Sequence, residues 1–302
     1  MELRKAVTVL VTGGSGFIGK YIVAGFSLQG CHVFSTYKKN TLWLENKIPH
    51  VEYVYTDFYN LDKLPRQYDV LVHCGAVNPG ASSSEAEMYA TNAQGSENIF
   101  LHAAQAGAKL SIYLSSVSVY GDVKTAILRE THPIIPNNAY GCSKFQGEAA
   151  LFKVVEAKNK MAGLTLRLPG VVGPGSRNNF LSRAFEKILN NETVTAENPQ
   201  ELFNNIVYIN DLTRFIIQYS QKYKQGYHVS NMASENPITI DNVFKLIQEF
   251  SGRRARIQYV EPTKKPFLIS LDKIKELGYC VPTAYESLKN FVLDSLVTKE
   301  YS

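Results

Sequence analysis

The stretch VTVLVTGGSGFIGKYIVAGF, residues 7–26, constrains the chain more than any other. Its first residues are β-branched and apolar, as in a buried strand, and the periodicity after Gly19 is that of a helix. Between them, TGGSGFIG (12–19) places Gly13, Gly16 and Gly19 at G-x-x-G-x-x-G spacing, and Gly14, Gly16 and Gly19 at G-x-G-x-x-G spacing. Glycine at such a hinge permits a tight turn, lets a pyrophosphate approach bare backbone, and lets helix and strand pack closely. The phosphates then meet the free N–H groups and positive dipole end of the helix. Gly13, Gly16, Phe17, Ile18 and Gly19 are therefore the candidate phosphate contacts of a dinucleotide site.

The second strand tests which dinucleotide is meant. A carboxylate for the adenosine ribose is expected about 20 residues after the last glycine. FSTYKKN (34–40) has none there; Thr36, Tyr37, Lys38 and Lys39 stand in its place. A hydroxyl and two ammonium groups suit a 2′-phosphate, so Tyr37 and Lys38 are candidate contacts and NADP is expected ahead of NAD.

Short apolar runs recur at Val7–Val11, His32–Thr36, Glu52–Tyr55, Val70–Cys74, Ser111–Ser115 and Leu164–Leu168. Helical patterns separate them at Gly19–Gln29, after Asp62, at Glu85–Ala106 and at Ala139–Asn159. Buried strands alternating with crossover helices predict an α/β, doubly wound parallel sheet. Beyond about residue 170 the segments shorten, with helices expected at Asn179–Leu189, Asp211–Tyr219, Ile240–Ser251 and Tyr285–Leu296. Strands are expected there at Ile206–Tyr208, Gly226–Val229 and Arg256–Val260. The boundaries drawn are a dinucleotide-binding domain over 1–170 and, over 171–302, a smaller mixed α/β substrate lobe. A return of the chain to the first domain near 200–230 is allowed for.

Composition narrows the partners. A net charge of +5 without a dense basic stripe argues against nucleic acid, although Arg253, Arg254 and Arg256 cluster with Lys264 and Lys265. Cys31, Cys74, Cys142 and Cys280 lie far apart and suit free thiols; no metal site is expected. No window approaches the ~18 apolar residues of a membrane span. The N-terminus lacks a cleavage site, so a soluble cytoplasmic protein is expected.

YGCSK (140–144) is a Y-x-x-x-K, and positions i and i+4 share a helix face. A nearby ammonium is expected to lower the Tyr140 pKa, and a phenol so tuned can exchange a proton with an alcohol or ketone. YLSSVSVYG (113–121) reads as a strand ending in hydroxyls, at the edge where doubly wound sheets bind ligands. Ser116 there could hydrogen-bond the same substrate oxygen; Ser115 and Ser118 are rivals expected to be satisfied by backbone. His73 is expected to be core.

TGGSGFIG, HCGA (73–76), SSVSVYG (115–121), YGCSK and LRLPGVVGPG (166–175) occur in the order of the extended short-chain dehydrogenase/reductase family. Over roughly residues 5–230 the chain resembles its NAD(P)-dependent epimerases, dehydratases and ketoreductases, many of which act on nucleotide sugars. The resemblance implies a Rossmann-type fold, with Tyr140 as acid/base, Lys144 on the nicotinamide ribose and Ser116 on the substrate oxygen. It implies cofactor contacts at Asp57 and Phe58, at Cys74, Gly75 and Ala76, at Asn92, and at Pro169. A homodimer through Glu85–Ala106 and Ala139–Asn159 is also implied.

Two departures bear on the substrate. Gly170 stands where the family often has Asn, and Asn204 where it often has the Arg that meets a diphosphate. Asn78, in the loop 78–87, with Asn179 and Arg183, are the candidate substrate contacts beside Ser116. Asp211 is read as a helix N-cap. The residues after Ser116, Val117 and Ser118, lack the acidic pair of the dehydratases. The expected activity is reduction of a 4-keto nucleotide sugar. Alternatives are a nucleotide-sugar 4-epimerase, a reductase of a small ketone or aldehyde, and a non-catalytic dinucleotide sensor.

Overall fold

A computed structural model describes residues 7–38, 47–80, 83–158, 160–263 and 265–300. Lys39, Lys264 and residues 81 and 82 of the 78–87 loop lie outside them. Two compact units are formed: residues 1–122, 133–167 and 213–230, and residues 123–132, 168–212 and 231–302.

The first unit holds a seven-stranded sheet. Its strands are β1 (Thr8–Thr12), β2 (His32–Tyr37), β3 (Val51–Tyr55), β4 (Val70–His73), β5 (Leu110–Ser116), β7 (Ala162–Leu168) and β12 (Tyr227–Asn231). Their order is β12-β7-β5-β4-β1-β2-β3. The pairs from β5 to β3 are parallel, with Val9 opposite Val33 on one side and Val70 on the other. Order reverses between β1 and β4, the switch point where such sheets bind ligands. Val9, Leu10, Val11, Leu71 and Val72 are fully buried, which requires helices on both faces.

Helix α1 (Phe17–Leu28) buries Ile22, Val23 and Phe26 and ends at Gly30, φ +73°. Helix α2 (Glu85–Met88) opens with a Ser84–Glu87 capping box, passes through a π-helical turn, Tyr89–Gly95, and continues as α3 (Ser96–Gln105). The sequence reads this stretch as one regular helix. Helix α4 (Ala139–Lys158) packs on α3 and β5. The helix expected after Asp62 is absent, and turns occupy residues 62–64. Asp57 Oδ1 accepts from the Tyr59 and Asn60 N–H groups, and Pro65 disfavours helix at the residue before it.

The second unit is built of short ladders. β6 (Ile127–Leu128) pairs with β15 (Leu268–Ile269), β8 (Gly170–Val172) with β11 (Ile206–Tyr208), β9 (Val194–Ala196) with β14 (Ile257–Tyr259), and β10 (Leu202–Phe203) with β13 (Ile238–Thr239). Its helices are α5 (Phe180–Leu189), α7 (Ile240–Ser251), α8 (Asp272–Glu276) and α9 (Ala284–Glu300). Thr239 caps α7, accepting from the Asn242 N–H, and Gly252 ends it in the left-handed region.

The strand expected at 226–229 is β12, an edge of the first unit's sheet, within the return to that unit over 213–230 that the sequence reading allowed for. One expectation needs correction. Helix α6 begins at Ile209 and runs Ile209–Gln221, so Asp211 sits in its first turn, buried, and is not the cap.

Candidate active site

The glycine hinge is compact. Gly13 has φ +67°, and a Cβ there would lie 2.6 Å from Gly75 Cα. Its N–H donates to Thr36 Oγ1 at 3.0 Å, and its carbonyl accepts from the Gly16 N–H at 2.9 Å. Thr36 is thus the buried anchor of the hinge. Gly16 caps α1 with extended backbone; no side chain accepts from the first turn, which contains no acidic residue. The N–H groups at Phe17 and Ile18 therefore open an anion-binding helix end, and the crowded Gly13–Gly75 contact leaves no room for a side chain at Gly13. These features fit a dinucleotide.

The other cofactor candidates divide. Tyr37 ends β2 with its ring edge-on to Tyr55 at 6.0 Å, and Lys38 is exposed. The Lys38 ammonium is one of the groups holding the Asp57 carboxyl below its usual range, after the Asn60 and Tyr59 N–H groups. Phe58, φ +71°, is core: its ring is edge-on to His73 at 5.5 Å and fills the space beside Gly75. Ala76 is half-buried and Asn78 is exposed. Asn92, fully buried in the π turn, accepts from the Val77 N–H at 2.7 Å and donates to the Val77 carbonyl at 2.9 Å and Ser143 Oγ at 3.1 Å. Its amide is spent joining the loop after β4 to α4, so it positions that loop. Pro169, between β7 and β8, belongs to the second unit.

Ser116, Tyr140 and Lys144 converge. Ser116 ends β5 and caps the 3-10 turn Val117–Tyr120, its Oγ accepting from the Ser118 N–H at 3.1 Å. Its hydroxyl donates to Ser118 Oγ at 3.1 Å and lies near enough to the Tyr140 phenol to lower its pKa. Gly141 permits this approach, because a Cβ there would lie 2.4 Å from the Ser118 carbonyl oxygen. One turn on, Lys144 is buried with its Nζ 4.4 Å from the Tyr113 ring centroid.

The electrostatics differ from expectation. Burial pushes the Tyr140 phenol up to about 12, and the nearby Ser116 hydroxyl is what opposes it. Burial also pushes Lys144 down to about 7, against the Glu148 carboxylate and the Cys74 thiol. A desolvated amine half discharged at neutral pH does not act as the strong fixed cation that would lower Tyr140. The chain's own residues thus hold Tyr140 as a proton donor. Burial likewise pushes Cys74 up to about 12.

His73 is fully buried, with Nδ1 2.5 Å from Thr12 Oγ1 and Nε2 2.8 Å from Ser96 Oγ. Burial and the nearby Lys144 hold it neutral, as a core residue. Ser115 is satisfied by Glu148 rather than by backbone. Glu148 itself escaped the sequence reading, although Y-x-x-x-K-x-x-x-E puts it on the same face as Tyr140 and Lys144.

In the second unit, Asn179 caps α5, accepting from the Ser182 N–H at 2.9 Å and donating to the Val171 carbonyl at 3.1 Å. Its amide is therefore structural; Arg183 is exposed. Gly170 stands opposite Ile206 in the β8–β11 ladder. Among the described residues no three His, Cys, Asp or Glu side chains could hold a metal, and no helix is long and apolar enough to cross a membrane.

Sheet order and glycine hinge together define a Rossmann-type α/β protein. The family model described as the NAD dependent epimerase/dehydratase family matches residues 9–233, and the chain belongs to that family. A relative from Escherichia coli O157:H7, N-acetyl-alpha-D-glucosaminyl-diphospho-ditrans,octacis-undecaprenol 4-epimerase, is 22% identical, over 93% of this chain and 88% of its own length. The structure of UDP-N-acetylglucosamine 4-epimerase from Methanobrevibacter ruminantium M1 is similar with TM-score 0.84 and 21% identity, over 98% of this chain and 99% of that one. UDP-glucuronic acid 4-epimerase from Bacillus cereus, in complex with NAD, gives 0.82 and 21%, over 98% and 100%. At these identities the structural likeness shows the fold.

Proposed function

We propose that this protein is an NAD-dependent 4-epimerase of a nucleotide sugar. The observation that carries the proposal is the convergence of Ser116, Tyr140 and Lys144 at the carboxyl end of β5, beside a hinge that fits a dinucleotide. The relatives' names favour epimerisation over the reduction expected from the sequence. That expectation leaned on the lysine pair at 38 and 39, whereas the family model is described as NAD dependent and the Bacillus cereus neighbour is in complex with NAD. NAD is accordingly preferred to NADP.

The residues that would hold the cofactor are Gly13, Gly16, Phe17, Ile18 and Gly19 at the phosphates and Tyr37 at the ribose end. Cys74, Gly75 and Ala76 would line its length, with Lys144 at the nicotinamide ribose. When bound, the nicotinamide takes up and returns hydride. Tyr140 would exchange the proton of the sugar hydroxyl, with Ser116 hydrogen-bonding the same oxygen and Lys144 holding the cofactor ribose. Exposed Arg183 is the candidate partner for the substrate diphosphate. Homodimerisation through α3 and α4, which expose Leu101, Phe145 and Phe152, is part of the proposal.

The test is incubation with UDP-hexoses and detection of the C4 epimer by NMR, without net change in reduced cofactor. Tyr140→Phe should lower turnover roughly a hundred- to ten-thousand-fold with cofactor affinity nearly intact. Stoichiometric consumption of NADPH by a keto sugar, or unchanged turnover in Tyr140→Phe, would overturn the proposal.

A further inference from the structure

A buried charged network lies directly behind the candidate catalytic residues. Glu148 and Arg167 are almost fully buried, with Arg167 Nη2 2.7 Å from Glu148 Oε2. Arg167 Nε also donates to both carboxylate oxygens, at 3.1 and 3.2 Å. The Ser115 hydroxyl donates to Glu148 Oε1 at 2.5 Å. Arg167 Nη1 donates to the Tyr120 hydroxyl at 2.7 Å, and the guanidinium lies over the Tyr120 ring.

These contacts grip the segment that carries Ser116 at both ends. Ser115 precedes Ser116 and is held by Glu148; Tyr120 closes the 3-10 turn that Ser116 caps and is held by Arg167. Glu148 stands on α4, one turn beyond Lys144 and two beyond Tyr140. One carboxylate therefore ties the strand end bearing Ser116 to the helix bearing the other two groups. A buried ion pair is a poor source of stability, because desolvation offsets its attraction. Its geometric selectivity explains it better here.

We infer that Glu148, braced by Arg167, is a positioning residue: it fixes the turn that bears Ser116 against the helix that bears Tyr140, and it sets its carboxylate one helical turn from the Lys144 amine. The inference rests on the proposed roles of those three residues. The titratable groups facing Lys144 are Glu148 on its own helix, Cys74 and His73 at the end of β4, and Tyr113 of β5. Burial keeps Cys74, His73 and Tyr113 neutral at pH 7.

The test uses the full chain with isotope-labelled lysine side chains, titrated by NMR without cofactor or substrate, beside turnover measurements. Glu148→Gln retains the shape and an acceptor for Ser115 but removes the charge. It should move the Lys144 midpoint down by about one pH unit. Turnover at pH 7 should fall about tenfold or more while KM changes less than about threefold, the pattern of a lost transition-state interaction. Ser115→Ala and Tyr120→Phe, which unpair no carboxylate, should lower kcat about threefold or more while leaving the Lys144 midpoint in place. Glu148→Leu/Arg167→Leu replaces the pair with apolar groups; it should remain folded yet lose turnover. An unmoved Lys144 midpoint in Glu148→Gln, or wild-type turnover in the Leu/Leu variant, would overturn the inference. The midpoint is read on protein alone, so it stands or falls separately from the epimerase reading, which Tyr140→Phe decides.

Discussion

Asn204 holds both backbone hydrogen-bonding groups of Ile269: its Nδ2 donates to the carbonyl at 2.9 Å and its Oδ1 accepts from the N–H at 2.9 Å. This buried amide extends the β6–β15 ladder sideways. Asn204→Ala leaves both groups of Ile269 unpaired and should cost about 2 kcal/mol or more. Urea denaturation checks this. Substrate affinity should change little in the folded fraction.

Lys144 titrates at about 7 in the folded chain, below its value of 10.5 in the unfolded chain. Below pH 7 both states carry the ammonium, and the folded state bears its full desolvation cost. Between about 7 and 10.5 the unfolded chain binds more protons, so stability rises with pH. Lys144→Met should therefore stabilise the protein at pH 6 by an amount on the order of a few kcal/mol, while abolishing turnover. That gain should shrink toward pH 10. Tyr140, raised from 10 to about 12, acts oppositely: above pH 10 the folded state binds more protons and stability falls. Denaturation of wild type and variant across pH measures both trends.

Gly13 combines left-handed backbone with contact against Gly75. Gly13→Ala should lower stability by about 1–3 kcal/mol, because alanine is strained at that φ and its Cβ has no space. Displacement of the loop should weaken dinucleotide binding about tenfold or more, as read by calorimetry.

The strands and helices of the first unit were legible because each obeys a local rule: alternating apolar runs, a glycine hinge, a capping serine. The helix expected after Asp62 failed because periodicity there was outweighed by Pro65 and by the Asp57 carboxylate gathering two backbone N–H groups. Tyr140 and Lys144 were marked by a shared helix face and Ser116 by its place at a strand end, and the family resemblance implied their roles. The direction of the Tyr140 shift could not be found that way, since it depends on how deeply both it and Lys144 are buried. Asn92 and Asn179 are plausible ligand contacts by residue type, and only their hydrogen bonds show that each amide is committed to nearby backbone. Glu148 and Arg167 are 19 positions apart, and nothing local pairs them.

The interleaved makeup of the two units has a consequence for how the protein emerges from the ribosome. The chain passes between them five times, and β12 completes the edge of a sheet begun at Thr8 only after residue 231 has been synthesised. Until then β7 presents an open row of peptide groups, the kind of edge that recruits wrong partners. Cutting near residue 170 would leave that edge bare permanently, so a product of that length should aggregate more readily than the finished polypeptide.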